Sequence, residues 1–156
     1  MAQNAGFCAA IIVQLPFTST DERDALWFQN RDWRDLIEVE WDEYFRGLFF
    51  FTNEAIAYYL PSVILLSTKP LNQRMLATDS MLMRLVEEGI ICSVNDSGPT
   101  DRLQLTVKEC AVLSGWLQHL CSLPSYEVGT NRIRIERCQS FLAQISSSED
   151  SEMNSL

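Results

Sequence analysis

Residues 48–66 read Leu-Phe-Phe-Phe-Thr-Asn-Glu-Ala-Ile-Ala-Tyr-Tyr-Leu-Pro-Ser-Val-Ile-Leu-Leu, and this run limits the fold more than any other part of the chain. A membrane-spanning helix needs about 20 consecutive, mostly apolar residues. Here Thr52, Asn53 and Glu54 interrupt the run and leave only residues 55–66. That remnant suits a helix buried in a protein core, so no membrane span is expected. Thr52 is a good helix cap, because its hydroxyl accepts from the free amides of a first turn. Glu54 then places a negative charge at the positive end of the helix dipole. Pro61 falls near the middle of the helix predicted over residues 52–67. Its ring removes one backbone hydrogen bond and crowds the preceding turn, so a kink is expected there.

Helical spacing recurs on both sides of this run. Trp33, Leu36, Ile37, Trp41, Tyr44, Phe45 and Leu48 follow a 3.6-residue period, which predicts a helix over residues 33–48. Asp32 is its expected cap, and Gly47 helps to end it. Asp35, Glu38 and Asp42 fall on the opposite face, with Arg46 within reach of Asp42 at i+4. A helical turn is expected at residues 21–27. One or two helices are expected in 71–90, with Met75, Leu76, Leu82, Leu85 and Val86 facing inward. The cluster Asn95-Asp-Ser-Gly-Pro-Thr100 reads as a loop. Thr106 and Glu109 form a capping-box pattern that starts a helix reaching residue 121. A last helix is expected over residues 131–145, burying Ile135, Cys138 and Leu142. The alternation at 132–135 leaves a short strand as its rival, and residues 5–13 read as either helix or strand.

These elements predict a mainly α fold: a single compact helical domain over residues 1–145, with about five to six helices and a kinked central helix. Residues 146–156 are polar and acidic and are expected to form a disordered tail. Trp41, Phe45, Tyr59, Leu60, Leu117 and Leu142 are the expected core. A chain of 156 residues, 47% of them hydrophobic, has no need of a disulfide or metal staple.

Charge narrows the choice of partners. The net charge is −9, and residues 21–54 alone hold ten acids and four bases. Such a surface disfavours nucleic acid and anionic membrane, and suits a basic protein. Arg132, Arg134 and Arg137 form the only basic cluster, and Glu136 lies among them. The five cysteines (Cys8, Cys92, Cys110, Cys121 and Cys138) are odd in number and lack C-x-x-C spacing. They are expected to be buried free thiols in a reducing, cytoplasmic compartment.

The chain offers little to catalysis. His119 is the one histidine, and a catalytic base needs a neighbouring nucleophile or orienting acid. Dispersed cysteines and one histidine do not make a zinc pattern. Phosphate-binding glycine loops and the G-x-S-x-G elbow are missing from the sequence. No catalytic residue, metal or cofactor is expected, and the protein is not expected to be an enzyme. Asp32, Asp35, Glu38, Asp42 and Glu43 remain, either as a solvated helix face or as a partner-binding surface.

Trp33-Arg-Asp-Leu36, Phe51-Thr-Asn-Glu-Ala55 and Tyr58-Tyr-Leu-Pro61 together resemble a family of small uncharacterised bacterial proteins. That family shows Trp-x-x-Leu, then Phe-Thr-Pro-Glu-Ala, then Tyr-Tyr-Leu-Pro, and the resemblance covers about residues 10–145. Asn53 stands where the family has proline, and Ile56 where it has an aromatic. The resemblance implies a small, helical, bacterial, cytoplasmic protein and carries no site residues. The function expected is a non-catalytic protein-binding module, most concretely an immunity or inhibitor protein that covers a basic toxin or enzyme with its acidic helix face. The second reading is a structural or regulatory subunit that self-associates through exposed aromatics such as Trp27, Phe28 and Tyr126.

Overall fold

The structure is a computed structural model that describes residues 20–69, 75–87 and 105–153. The fold is mainly α. Among the described residues, helices α1 (Thr20–Trp27), α2 (Glu38–Tyr44), α3 (Asn53–Ser67), α4 (Leu76–Glu87), α5 (Val107–Ser122) and α6 (Thr130–Met153) follow one another. Short 3-10 segments lie at Trp33–Asp35, Phe45–Phe50 and Pro124–Tyr126. The chain divides into two compact units, Met1–Met81 and Leu82–Leu156, with the division inside α4. Residues 5–13, Cys8, Cys92 and the loop expected at residues 95–100 lie outside the described residues.

Caps set two of the helices. The Thr52 hydroxyl accepts from the Ala55 amide at 3.2 Å and starts α3 where the sequence places it. α3 is continuous through Pro61, and the bend expected there is not shown. At α5 the capping box is complete: the Thr106 hydroxyl accepts from the Glu109 amide at 3.3 Å, and the Glu109 carboxylate accepts from the Thr106 amide at 2.8 Å. These hydrogen bonds, to the backbone first and then to the hydroxyl, hold the Glu109 carboxyl below its ordinary range.

The helix predicted over residues 33–48 is instead three pieces. Trp33–Asp35 is a 3-10 turn, Leu36 and Ile37 are extended, α2 follows, and Phe45–Phe50 is 3-10 again. Asp32 does cap, but it caps the 3-10 turn, accepting from the Arg34 amide at 2.9 Å. α2 has its own start at Ile37, whose amide donates to the Glu40 carboxylate at 3.1 Å. The break turns Ile37 outward to 52% exposure and leaves Phe45 half-buried, against the expected core.

Gly47 has a role that its position near a helix end does not suggest. The segment Phe45–Phe50 packs on α1, and a Cβ at Gly47 would lie 2.7 Å from the Ala25 nitrogen and 2.8 Å from its Cα. Both are backbone atoms, so neither can swing aside. α1 ends in a turn at Asn30, whose φ of 66° suits an asparagine.

Aromatic rings fill the core of the Met1–Met81 unit. Phe28, Trp41 and Phe51 surround Tyr59, with ring centroids 5.2 to 6.0 Å from its own. The Tyr59 hydroxyl donates to the Phe28 carbonyl at 2.6 Å, with the Arg31 carbonyl at 3.1 Å sharing the same proton. The Trp41 indole donates to the Ser62 hydroxyl at 2.9 Å. Trp41, Tyr59 and Leu60 are buried as the sequence predicts.

The Leu82–Leu156 unit rests on α5 packed against α6. Cys110, Leu113, Leu117 and Leu120 are buried on α5, and Asn131, Ile135, Cys138 and Leu142 on α6. Their alternating steps of three and four residues are those of a coiled-coil seam. Residues 132–135 are therefore helix, and the strand alternative falls. α6 continues to Met153, past the position where the tail was expected to begin. Cys110, Cys121 and Cys138 are free thiols, and burial pushes Cys138 up to about 12.

Two glycines give opposite predictions. Gly47→Ala should destabilise by about 1–3 kcal/mol or more, because backbone must move to admit the methyl group. Gly115 lies exposed in α5 with nothing within 4 Å of its would-be Cβ. Gly115→Ala should stabilise by roughly 0.5–1 kcal/mol through helix propensity alone. Urea unfolding of both variants checks the pair.

Candidate functional site: the acidic surface around α2

Five carboxylates were expected to share one face, and the structure gives them different work. Asp32 is bound by Arg34, whose guanidinium donates to both of its oxygens at 3.1 and 3.0 Å. Glu38, at the start of α2, pairs with Lys69 at 3.2 Å, just beyond the end of α3. Its own backbone amide, then Lys69, holds the Glu38 carboxyl below its ordinary range. Arg31 similarly pairs with Glu40 at 3.4 Å, while its guanidinium lies 3.5 Å over the Trp27 ring. Trp27 in turn stacks on Tyr44 at 4.2 Å.

Asp42 does not reach Arg46. Its carboxylate accepts a hydrogen bond from the Leu76 amide at 2.8 Å. Leu76 is the first residue of α4, and the residue before it, Met75, has no side-chain oxygen with which to cap. Asp42 thus supplies from α2 the acceptor that α4 lacks locally.

Asp35 and Glu43 are exposed. The neighbouring Glu43 carboxylate raises the Tyr44 pKa. No cationic side chain pairs with Asp35, Asp42 or Glu43 among the described residues. Between these acids stand Ile37 and Val39, 52% and 69% exposed. Val39 and Glu43 are four residues apart on α2 and share one strip of it. One continuous helix over 33–48 would turn Ile37 toward the core, whereas the break before α2 exposes it.

Other candidates lose ground. Phe28 and Tyr126, expected as exposed aromatics, are buried, and Trp27 is half-buried in its stack. Their apolar character was legible, but their depth depends on tertiary packing. Arg132 pairs with Glu136 at 2.8 Å and Arg134 donates to Asn131 at 2.8 Å, which leaves the basic cluster partly self-satisfied. Among the described residues, no group of three histidine, cysteine or acidic side chains could hold a metal ion. No helix among them is long and apolar enough to cross a membrane. Comparison of the chain with protein-family models, with curated proteins and with solved structures finds no match.

The division of labour among the acids is measurable as stability. Asp42→Ala should cost about 0.5–2 kcal/mol, the usual cost of losing a helix cap. Asp35→Ala should stay within about 0.5 kcal/mol, as exposed positions do. Denaturant midpoints of the two variants should differ accordingly, and equal midpoints would remove Asp42 from the frame of the fold.

Proposed function

We propose that the protein is a non-catalytic protein-binding module that captures a basic partner through the surface around α2. The carrying observation is the placement of exposed Ile37 and Val39 among Asp35, Asp42 and Glu43, carboxylates that no described cation neutralises. Protein interfaces join an apolar centre to a polar rim, and uncompensated charge steers an oppositely charged partner to it. Val39 serves as the centre with Glu43 beside it on the same strip, and Asp35 and Ile37 lie exposed just before α2. Asp32, Glu38 and Asp42 border the same surface while engaged within the chain. An immunity or inhibitor protein acting in the cytoplasm on a basic toxin or enzyme is the most concrete form of this reading. It is supported by the excess of acids in residues 21–54 and by the lack of a catalytic motif in the sequence.

The test uses outward residues alone. Asp35→Lys with Glu43→Lys, and separately Val39→Ser, should fold with melting temperatures close to the parent. Both should recover much less of a basic partner from extracts of the source cell, identified by mass spectrometry. For the parent, association with that partner should slow as salt rises from 50 to about 500 mM, because screening shortens the reach of the charges. Recovery unchanged by either variant would falsify this assignment of the surface.

A further inference from the structure

α3 is apolar on every side. Between Glu54 and Thr68 it carries no charged residue. One face sets Ile56, Tyr59, Val63 and Leu66 in the core. A helix that is hydrophobic all round is ordinarily buried on both sides. Here the other face is open. Ala57 is exposed, Leu65 is 55% exposed, and Tyr58, Pro61 and Ile64 are half-buried. At about 100° per residue these five fall within about 60° of Pro61. They form one apolar strip along α3, of the kind that marks an interaction site.

The strip is balanced about Pro61. Ala57 and Leu65 lie four residues before and after it, and Tyr58 and Ile64 three before and after. Glu54 and Thr68, both exposed, lie seven before and after, about 10 Å along the axis on either side. Two copies of α3 that pack antiparallel about a two-fold axis at Pro61 therefore bring Ala57 of each opposite Leu65 of the other, and Tyr58 opposite Ile64. A small side chain then faces a large one, as interdigitating layers require. The ends match in charge. Glu54 of each copy arrives at Thr68 of the other, beside Lys69, whose side chain is 54% exposed. Among the described residues, no cation pairs with Glu54 within its own chain. Lys69 holds Glu38 of its own chain at 3.2 Å, and its ammonium has three donors, so a second carboxylate can share it.

We infer that the outward face of α3 binds a second copy of this chain, in an antiparallel pair centred on Pro61. A two-fold contact of this kind uses one self-complementary patch twice. The strip is smaller than the roughly 20–30 residues a side of a standard interface, so the pairing is reversible and depends on concentration. It lies on a different helix from the proposed basic-partner surface and stands apart from that reading.

Analytical ultracentrifugation of the full chain tests this. Between about 5 µM and about 1 mM, a span that covers weak association, the weight-average mass should rise from one chain towards two. Leu65→Glu and Ala57→Lys should each hold the mass near one chain over that range, with circular dichroism like that of wild type, since both positions are exposed. An equimolar mixture of the two variants should recover the dimer. The antiparallel register sets the new carboxylate against the new ammonium and leaves the second Ala57–Leu65 pair intact. A wild-type chain that stays monomeric throughout overturns the proposal, whether the strip is open or covered from within the chain. A dimer that both variants keep overturns it equally, because the contact then lies elsewhere. A mixture that stays monomeric overturns the register about Pro61.

Discussion

The Met1–Met81 unit depends on one buried hydroxyl. Tyr59 brings a phenol into a cluster of aromatic rings, where an unpaired polar group would cost free energy of the order of 1–3 kcal/mol. Its partners are carbonyls in the turn after α1, of which that of Phe28 also accepts from the Arg31 amide at 3.1 Å. The contact thus satisfies the buried phenol and ties α3 to the turn that follows α1. Arg31, whose carbonyl shares the Tyr59 proton, covers Trp27 with its guanidinium and pairs with Glu40 of α2. The position of α2, and so of every acid on it, follows from where the turn after α1 is pinned.

What was legible in the sequence was what local chemistry decides. Thr52 and the Thr106–Glu109 pair are caps that act within four residues, and both helices start where those residues predict. The buried positions of α5 and α6 were legible because a single strip of each helix is buried, a pattern that periodicity reports faithfully. The segment 33–48 failed for the converse reason. The spacing of apolar residues there matches burial only in part: Leu36, Trp41 and Leu48 are buried, while Ile37 is exposed and Phe45 half-buried. Two cues to the break lay in the sequence: Asp32 caps within two residues, and Glu40 can reach back to Ile37. The role of Gly47 was not legible, because it depends on the backbone of Ala25, a neighbour brought there only by folding.

The same limit applied to the acidic surface. The residue types and their excess were plain, but their engagements are long-range. Glu38 meets a lysine beyond α3, and Asp42 meets an amide at the start of α4. Sequence spacing offered Arg46 to Asp42, whereas the structure uses a donor that no sequence pattern marks. A backbone amide at a helix start is a stronger claimant than an arginine one turn along the same helix, because such a pairing on a helix surface contributes only about 0.3–0.5 kcal/mol.

This reassignment changes what the charge of α2 means. A carboxylate neutralised by a cation contributes little field, and Asp32 and Glu38 are of that kind. Asp42 bonds to a backbone amide, so its engagement in the fold brings no cationic side chain to it. Around a two-turn helix, successive residues are separated by roughly 100°, so Trp41 can face the core while Glu38 with Asp42, and Val39 with Glu43, occupy adjoining strips. A partner on the outward strip is then within a side chain's reach of the inner one. On the proposed reading of this surface, Asp42 stands where the frame of the fold borders the recognition strip.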